Sequence, residues 1–251
     1  MLFRSNLVRG LTALLIRAGR LGPAQEVLRQ AIATQGKSPE LADLRAWARR
    51  TLAEVLAQRG SYRDFQDAVA LLQQNAGAEG SPSPEDVALH IRLAAARPEP
   101  ASWRQALALF KTLEKSQGLT AGQRLERAQL LEKLGRWEDC RDELISLVAS
   151  PSTPPAFVAL LVEKLIDHGE LTTARTWMRR LASSNAGAAS TLAVEARLCI
   201  AEKNREAAVA AARKLMPESA VPPDQMDTLP VVARLMRSEE HTSELQSRQY
   251  L

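Results

Sequence analysis

The sequence predicts an all-α fold, an α-solenoid of about six stacked helix-turn-helix repeats followed by a truncated seventh. Three observations predict it: a pattern that recurs at fixed intervals, two apolar stripes with helical spacing in each interval, and no run of alternating β-branched residues bounded by turns. One helix pair cannot bury its own apolar stripe, so neighbouring pairs must stack. We therefore expect the stack, and not the single pair, to hold the core.

The interval is defined by four segments that align without gaps and begin 34 residues apart, at Ala101, Gly135, Gly169 and Lys203. Two earlier segments begin 41 residues apart, at Gly19 and Gly60, and the second of these precedes Ala101 by the same step. We interpret the longer steps as the same motif with seven additional residues. Part of this excess is expected in the turn after Gly60.

Small residues recur at fixed places in both helices of each unit. The second helices carry them five residues after the unit begins, or eight in the second unit, at Ala24, Ala68, Ala106, Cys140, Ala174 and Ala208. The first helices carry mostly small residues seven positions before the unit begins, at Thr12, Ala53, Ala94, Ala128, Val162 and Ala196. Two packed helices approach to about 8–10 Å only if the side chains at the contact allow it, so we expect the small residues at the helix crossings.

Several helix starts are marked by capping residues. Ser38, Ser83 and Thr153 each precede a proline, which suits an N-cap followed by proline at the first helical position. Ser102 with Gln105 and Thr120 with Gln123 fit the capping box, in which side chain and backbone satisfy each other reciprocally. These signals place the helix boundaries between the repeats.

At this point the residues resemble a known family. LEKLGRWEDC, which ends at Cys140, is similar to the turn and second-helix start of a tetratricopeptide repeat, and IRAGRLGPA, DHGELTTA and AEKNREAA are looser copies. The step of 34 residues is the repeat length of that family. The resemblance covers Asn6 to Met236, but Arg124 stands where the family's early tryptophan is expected. It implies a right-handed solenoid that binds protein or peptide segments and has no catalysis of its own.

The resemblance also implies where a partner binds, because the first helix of each pair lines the concave groove in that family. Carried over unit by unit, this rule gives Arg9, Arg50, Arg92, Gln129, Glu163 and Arg197 as candidate partner-binding residues. The three arginines of the first three units make that half of the groove basic. An extended acidic peptide could be held there by charge-assisted hydrogen bonds. The alternative is that these residues are ordinary solvated charges.

Both termini resemble the translation of a common short-read sequencing adapter. The matching segments are MLFRS, Met1–Ser5, and RSEEHTSELQSRQYL, Arg237–Leu251. We therefore predict that residues 1–5 and 237–251 are not native. Residues 6–236 are then a tetratricopeptide-like solenoid from the interior of a longer protein, and the rest of the parent chain is expected to contact it at both ends.

Composition restricts the function further. The net charge of +4 is modest for 251 residues and does not by itself indicate nucleic acid. No apolar run approaches the roughly 20 residues that cross a bilayer. We find no phosphate-binding glycine loop, HExxH, GxSxG or paired CxxC, and we predict no metal, no cofactor and no enzymatic activity. The sequence makes no prediction of compartment.

The cysteine, histidine and tryptophan residues are expected to have structural roles. We expect Cys140 and Cys199 to be buried apolar residues without a disulfide. His90 is expected to be partly buried, and His168 to follow a helix end without forming a catalytic pair with Asp167. Trp103 and Trp137 occupy equivalent repeat positions, and packing at the turn is favoured over an aromatic binding ladder.

Two other functions remain open at this stage. A related helical-hairpin array could bind RNA, one base per repeat, and the sequence pI of 9.3 permits it. Against it, the units lack a regular pair of polar residues on the candidate face. The chain could also be the interaction arm of a larger enzyme whose catalytic domain lies elsewhere in the parent protein.

Overall fold

A computed structural model describes residues 2–36, 38–76, 82–150, 153–185 and 187–215. Over these ranges the chain forms twelve α-helices and no β-strand, so the predicted all-α fold class is confirmed. The predicted seventh repeat, Thr228–Met236, and the segment Arg237–Leu251 lie outside the described residues. The chain divides into two compact units, Met1–Gly135 and Arg136–Leu251.

Unit 1 consists of stacked helix pairs. Its helices are α1 (Leu2–Arg17), α2 (Leu21–Ala33), α3 (Pro39–Ala57), α4 (Tyr62–Gln73), α5 (Pro84–Ala95), α6 (Pro100–Gln117) and α7 (Ala121–Lys133). Each helix contacts the next, and α3 also contacts both α1 and α5. These additional contacts join the first helices of successive pairs, which is the packing expected of a helical repeat.

Unit 2 has the same kind of packing. Its described helices are α8 (Trp137–Val148), α9 (Pro155–Asp167), α10 (Leu171–Asn185), α11 (Ala189–Ala201) and α12 (Arg205–Leu215). Helix α9 contacts α8, α10 and α11, and α11 contacts α12. The fourth predicted helix pair is divided, because α7 belongs to unit 1 and α8 to unit 2. No described helix has the length and apolar character required to cross a membrane.

Glycine with positive φ marks most of the turns inside the pairs. Gly19, Gly60, Gly135 and Gly169 have φ between 70° and 76°, and each lies two residues before a second helix. A Cβ atom added to any of these four glycines would have no neighbour within 4 Å. Backbone conformation and not lack of space therefore favours glycine. Lys203 occupies the equivalent place in the last pair with φ of 60°.

Ala101 begins its unit inside a helix, unlike Gly19, Gly60, Gly135 and Gly169, which lie in turns. It belongs to α6, which begins at Pro100. Proline fixes its own φ near −65° and is tolerated at the first helical position, which allows α6 to begin earlier. The register of the helix is retained, since Ala106 is still fully buried.

The recurrent small residues all lie in the core. No second-helix member is more than 1% exposed, and these are Ala24, Ala68, Ala106, Cys140, Ala174 and Ala208. The same limit holds for the first-helix members Thr12, Ala53, Ala94, Ala128, Val162 and Ala196. Their burial agrees with the expectation that small side chains allow packed helices to approach closely.

The additional residues of the long steps lie in two different places. Helix α3 has 19 residues, whereas α7, α9 and α11 have 13 each, and this accounts for most of the first long step. In the second long step, α4 ends at Gln73 and α5 begins only at Pro84. The expectation of an excess in the turn after Gly60 is wrong, because α4 begins two residues after Gly60, as other second helices do.

Three of the five predicted helix caps are found. Ser38 and Ser83 accept hydrogen bonds from backbone amides of α3 and α5, and Thr120 with Gln123 forms the predicted capping box. Thr153 does not cap, since α9 begins at Pro155. Ser102 does not cap either, because it lies within α6 and Glu99 is the N-cap residue. Both helices begin at a different residue from the predicted one, because Pro100 and Pro155 occupy the first helical position of α6 and α9.

Candidate functional site

Each of the six predicted partner-binding residues lies on a first helix, at a similar angular position relative to the buried small residue of its own helix. Arg9 and Arg50 stand three residues before the buried small residue of their helix, and Arg92 stands two before. Gln129, Glu163 and Arg197 follow that residue directly. Since an α-helix turns by about 100° per residue, these positions share an arc of about 100°. Three of the six lie on α1, α3 and α5 of unit 1, and Gln129 is exposed on α7.

The densest part of this surface is a stripe on α3 that meets both neighbouring first helices. Trp47, Arg50 and Glu54 are three and four residues apart and therefore lie on one side of α3. The guanidinium carbon of Arg9 on α1 lies 5.0 Å from the ring centroid of Trp47. Arg92 on α5 donates a 3.1 Å hydrogen bond to Glu54. We call these five residues the arginine face.

Arg50 is held by a buried network at the start of α5. Its Nη1 lies 3.3 Å from the Ser83 hydroxyl and 3.5 Å from the carboxylate of Asp86, whose side chain is 2% exposed. Asp86 also accepts hydrogen bonds from Asn75 Nδ2 at 2.8 Å and from the Ser83 hydroxyl at 2.7 Å. Arg50 therefore joins α3 to α5 and is less available to a ligand than the predicted groove required.

Arg92 is exposed and more weakly held. The side chains of Arg92 and Glu54 are 59% and 47% exposed. Ion pairs in such surroundings typically contribute about 0–1 kcal/mol, because water screens them and side-chain entropy opposes them. A carboxylate from a bound segment can therefore replace Glu54 at little cost. Arg9 is exposed as well, and its guanidinium lies over the Trp47 ring.

The corresponding residues of unit 2 pair with one another. Arg197 on α11 lies 3.5 Å from Glu163 and donates a 2.9 Å hydrogen bond to Asp167, both on α9. Acidic residues here compensate the one predicted arginine. The sequence of unit 1 contains 19 basic and 13 acidic residues, a net +6, whereas unit 2 contains 14 and 16, a net −2. Positive charge is therefore concentrated in the unit that carries the arginine face.

Both tryptophans at the equivalent repeat positions contact a turn. The Nε1 of Trp103 donates to the backbone carbonyl of Arg97 at 2.6 Å. The Nε1 of Trp137 donates to the Glu170 carboxylate at 2.7 Å, and its ring stacks on His168. The hydrogen bond from Trp137, with a further one from Arg141, lowers the pKa of Glu170. Both indoles are part-buried at these contacts, as packing at the turn requires.

An arginine–glutamate ion pair occurs in two successive repeats of unit 2. Arg141 on α8 reaches Glu170, which precedes α10, at 3.1 Å. Thirty-four residues later, Arg175 on α10 forms a two-pronged hydrogen bond with Glu202, which follows α11, with Nε to Oε1 at 2.8 Å. Each arginine links its second helix to the next turn along the chain. These ion pairs were not anticipated from the sequence.

A cleft of about 410 Å³ opens between α2 and α4 in unit 1. Leu52 and Leu56 of α3 lie among its apolar residues, and Arg29 and Asp67 contribute charged side chains. No pattern in the sequence indicates this cleft, because it depends on how two second helices pack against the long α3.

The histidine and cysteine side chains considered in the sequence analysis lie in ordinary packing environments. His90 is half-buried with its Nε2 3.1 Å from Gln105, and burial lowers its pKa. Cys140 is buried, but Cys199 is only half-buried, so the expectation that both are buried is wrong for Cys199. Desolvation raises the pKa of Cys199. Within the described ranges, no cluster of three or more His, Cys, Asp or Glu side chains could hold a metal ion.

Two solved structures show what this fold is similar to. One is PilW, a widely conserved type IV pilus biogenesis factor, with a TM-score of 0.58 and 14% identity over 90% of this chain and 98% of the other. The second is a tetratricopeptide repeat protein from Parabacteroides merdae ATCC 43184, with a TM-score of 0.58 and 16% identity over 98% of this chain and 91% of the other. No protein-family model and no curated protein sequence matches the chain. The likeness shows a tetratricopeptide-like helical-repeat fold.

Proposed function

We propose that this chain is a protein-binding scaffold without catalytic activity, and that unit 1 binds an extended acidic segment of a partner across the arginine face. The observation that carries the proposal is that Arg9 on α1 and Arg92 on α5 both contact one side of α3, at Trp47 and Glu54 respectively. A guanidinium presents planar donors that match a carboxylate, and such charge-assisted bonds are about twice as strong as neutral ones.

The spacing of the helices suits an extended ligand. Packed helix axes lie about 8–10 Å apart, and an extended peptide advances about 3.3 Å per residue. A peptide running across α1, α3 and α5 therefore meets the next first helix about every third residue. Acidic side chains separated by about six residues would reach Arg9 and Arg92, with Trp47 between them as an apolar contact.

Pre-organisation supports binding by this surface. Helix packing and the Ser83–Asp86 network hold the backbone of α3 and α5 in place before any ligand arrives. Binding then requires little ordering of the receptor, which leaves more of the contact free energy for affinity. The net +6 of unit 1 also attracts an acidic segment before contact.

The test is fluorescence anisotropy with the full chain and a labelled, extended peptide that carries Asp or Glu at every third position. Arg9→Ala and Arg92→Ala are expected to weaken binding about 3–10-fold each, since an exposed charge-assisted hydrogen bond contributes about 1 kcal/mol. The control is Arg63→Ala, which removes one exposed charge from the second helix α4. An equal loss of affinity in Arg63→Ala would show that net charge alone explains the effect, which would contradict the proposal.

A second titration separates this proposal from RNA binding. Single-stranded RNA is added to the same protein over a range of salt concentrations. We expect weak binding that Arg9→Ala and Arg92→Ala do not change more than Arg63→Ala does. Micromolar affinity at physiological salt, falling steeply with added salt and lost in the arginine-face variants, would favour RNA as the ligand.

A further inference from the structure

Helix α1 presents an apolar stripe that no described residue covers. Leu7, Leu11 and Leu14 are 58%, 48% and 62% exposed. They are four and three residues apart, so they form one stripe along α1, and Gly10 lies on the same side. An apolar stripe of this kind on a helix normally faces another packed element.

The same repeat positions are buried in the next two first helices. One step of 41 residues leads from Leu7, Leu11 and Leu14 to Ala48, Leu52 and Val55 of α3. These three residues are 0%, 3% and 1% exposed. A second step leads from Ala48 and Leu52 to Leu89 and Leu93 of α5, which are 2% and 7% exposed.

The element that covers these positions is the second helix of the preceding pair. Leu52 and Val55 belong to one core cluster with Leu28 and Ala31 of α2, and α2 contacts α3. Leu89 belongs to the same cluster together with Ala68 and Leu72 of α4, and α4 contacts α5. Unit 1 thus contains two examples of the interface that the α1 stripe lacks.

We propose that the stripe of Leu7, Leu11 and Leu14 docks the second helix of a further helix pair of this same repeat kind. That pair stands before α1 in the polypeptide as α1 and α2 stand before α3. Its second helix carries a leucine and a small residue three positions apart, as α2 does with Leu28 and Ala31. A second helix is the expected occupant, because α2 and α4 cover the equivalent positions of α3 and α5.

The test prefixes the full chain with a second copy of residues 1–41. The added second helix then precedes α1 by the same number of residues as α2 precedes α3. Circular dichroism should show the helix content of one more pair. Thiol labelling of a Leu11→Cys variant should be at least about tenfold slower in the prefixed chain than in the unprefixed chain, because a packed side chain excludes the reagent.

Leu11→Glu with Leu14→Glu in the original α1 provides the matched control. Both side chains are exposed in the unprefixed chain, so its helix content and melting should not change. In the prefixed chain the same changes should leave the added pair unfolded. Unchanged labelling of Leu11→Cys after prefixing, or an added pair that stays helical beside the two glutamates, would overturn the proposal.

Sedimentation of the unprefixed chain distinguishes a second copy as the occupant. Docking of a further repeat predicts that Leu11→Glu does not change the association state of the full chain. A concentration-dependent dimer that Leu11→Glu dissociates would instead assign the stripe to self-association and would contradict the proposal.

Discussion

The indole of Trp137 lies almost parallel to the imidazole of His168, with ring centroids 3.8 Å apart and 8° between the planes. Trp137 begins α8, whereas His168 directly follows α9, so the stack joins two successive helix pairs of unit 2. The same indole donates its N–H to Glu170. One side chain therefore contacts both a ring and a carboxylate at a single turn.

Replacing Trp137 with Phe is expected to lower the free energy of unfolding by about 1 kcal/mol at neutral pH. Phe keeps a ring for the stack but loses the donor to Glu170, and partial exposure of the carboxylate reduces the effect. Because this bond lowers the pKa of Glu170, its contribution is present above the unfolded-state pKa of about 4.3 and is lost as pH falls through the folded-state value. Urea unfolding between about pH 7 and pH 3 measures both effects, and the acid-side loss should be smaller in the variant.

Trp103→Phe is the matched control for this experiment. The indole of Trp103 donates to the backbone carbonyl of Arg97, which does not titrate. The variant should lose stability by a similar amount at neutral pH but keep the wild-type dependence on acid. A shallower acid dependence in Trp103→Phe would argue against Glu170 as the titrating group.

Substitutions at Gly169 and Lys203, which occupy equivalent repeat positions, are expected to change stability in opposite directions. Gly169→Ala should destabilise by about 1–2 kcal/mol, because φ of 74° is unfavourable for a side-chain-bearing residue. Lys203→Gly should stabilise by about 0.5–1 kcal/mol, since φ of 60° strains the lysine backbone. Urea midpoints with unchanged slopes measure both. Destabilisation by Lys203→Gly would show that its side chain contributes more than its backbone strain costs.

Asp86→Ala is expected to destabilise unit 1 by about 2–4 kcal/mol. The substitution removes one of the two acceptors of Asn75 Nδ2, the buried acceptor of the Ser83 hydroxyl and the carboxylate nearest to Arg50. Glu85→Ala is the control, since its side chain is 70% exposed and lies 3.9 Å from the same guanidinium. It should cost about 0.5 kcal/mol. Similar losses in thermal unfolding of the two variants would contradict the role given to burial.

Glu54→Gln is expected to strengthen binding of the acidic peptide about 1.4–5-fold. The change removes the carboxylate that competes with the peptide for Arg92, and an exposed ion pair of about 0.2–1 kcal/mol corresponds to this factor. Glu26→Gln makes the same charge change on the second helix α2 and should increase affinity less. Fluorescence anisotropy measures both, and equal increases would assign the effect to net charge.

The sequence predicted those features of the fold that depend on local backbone and volume constraints. Gly135 and Ala174 were identified as repeat positions, and the structure supplies the reasons, because a left-handed turn favours glycine and a close helix crossing requires a small side chain. The alignment did not indicate that Ala101, unlike Gly135, lies inside a helix, because Pro100 begins α6 before it. An alignment between repeats does not show that this unit has a proline at the helix start where most other units have a glycine in the turn.

The contacts of the candidate site could not be predicted in the same way. Arg50 was assigned to an open groove, but its contacts with Ser83 and Asp86 depend on how α3 meets the start of α5. The pairs Arg141–Glu170 and Arg175–Glu202 join residues 29 and 27 positions apart. No local spacing rule indicates such pairs, because the packing of successive helix pairs decides which side chains meet.

The pairing of Arg92 with Glu54 has a consequence for selectivity. In the resting molecule this guanidinium is already occupied by a tethered competitor, whose local concentration is fixed by the fold. Under the proposed function, a partner with one isolated acidic side chain would gain little by exchange, because one carboxylate merely substitutes for another. A segment with several acidic groups would displace Glu54 and engage Arg9 at the same time. The surface would then favour segments dense in acidic side chains over sparse ones.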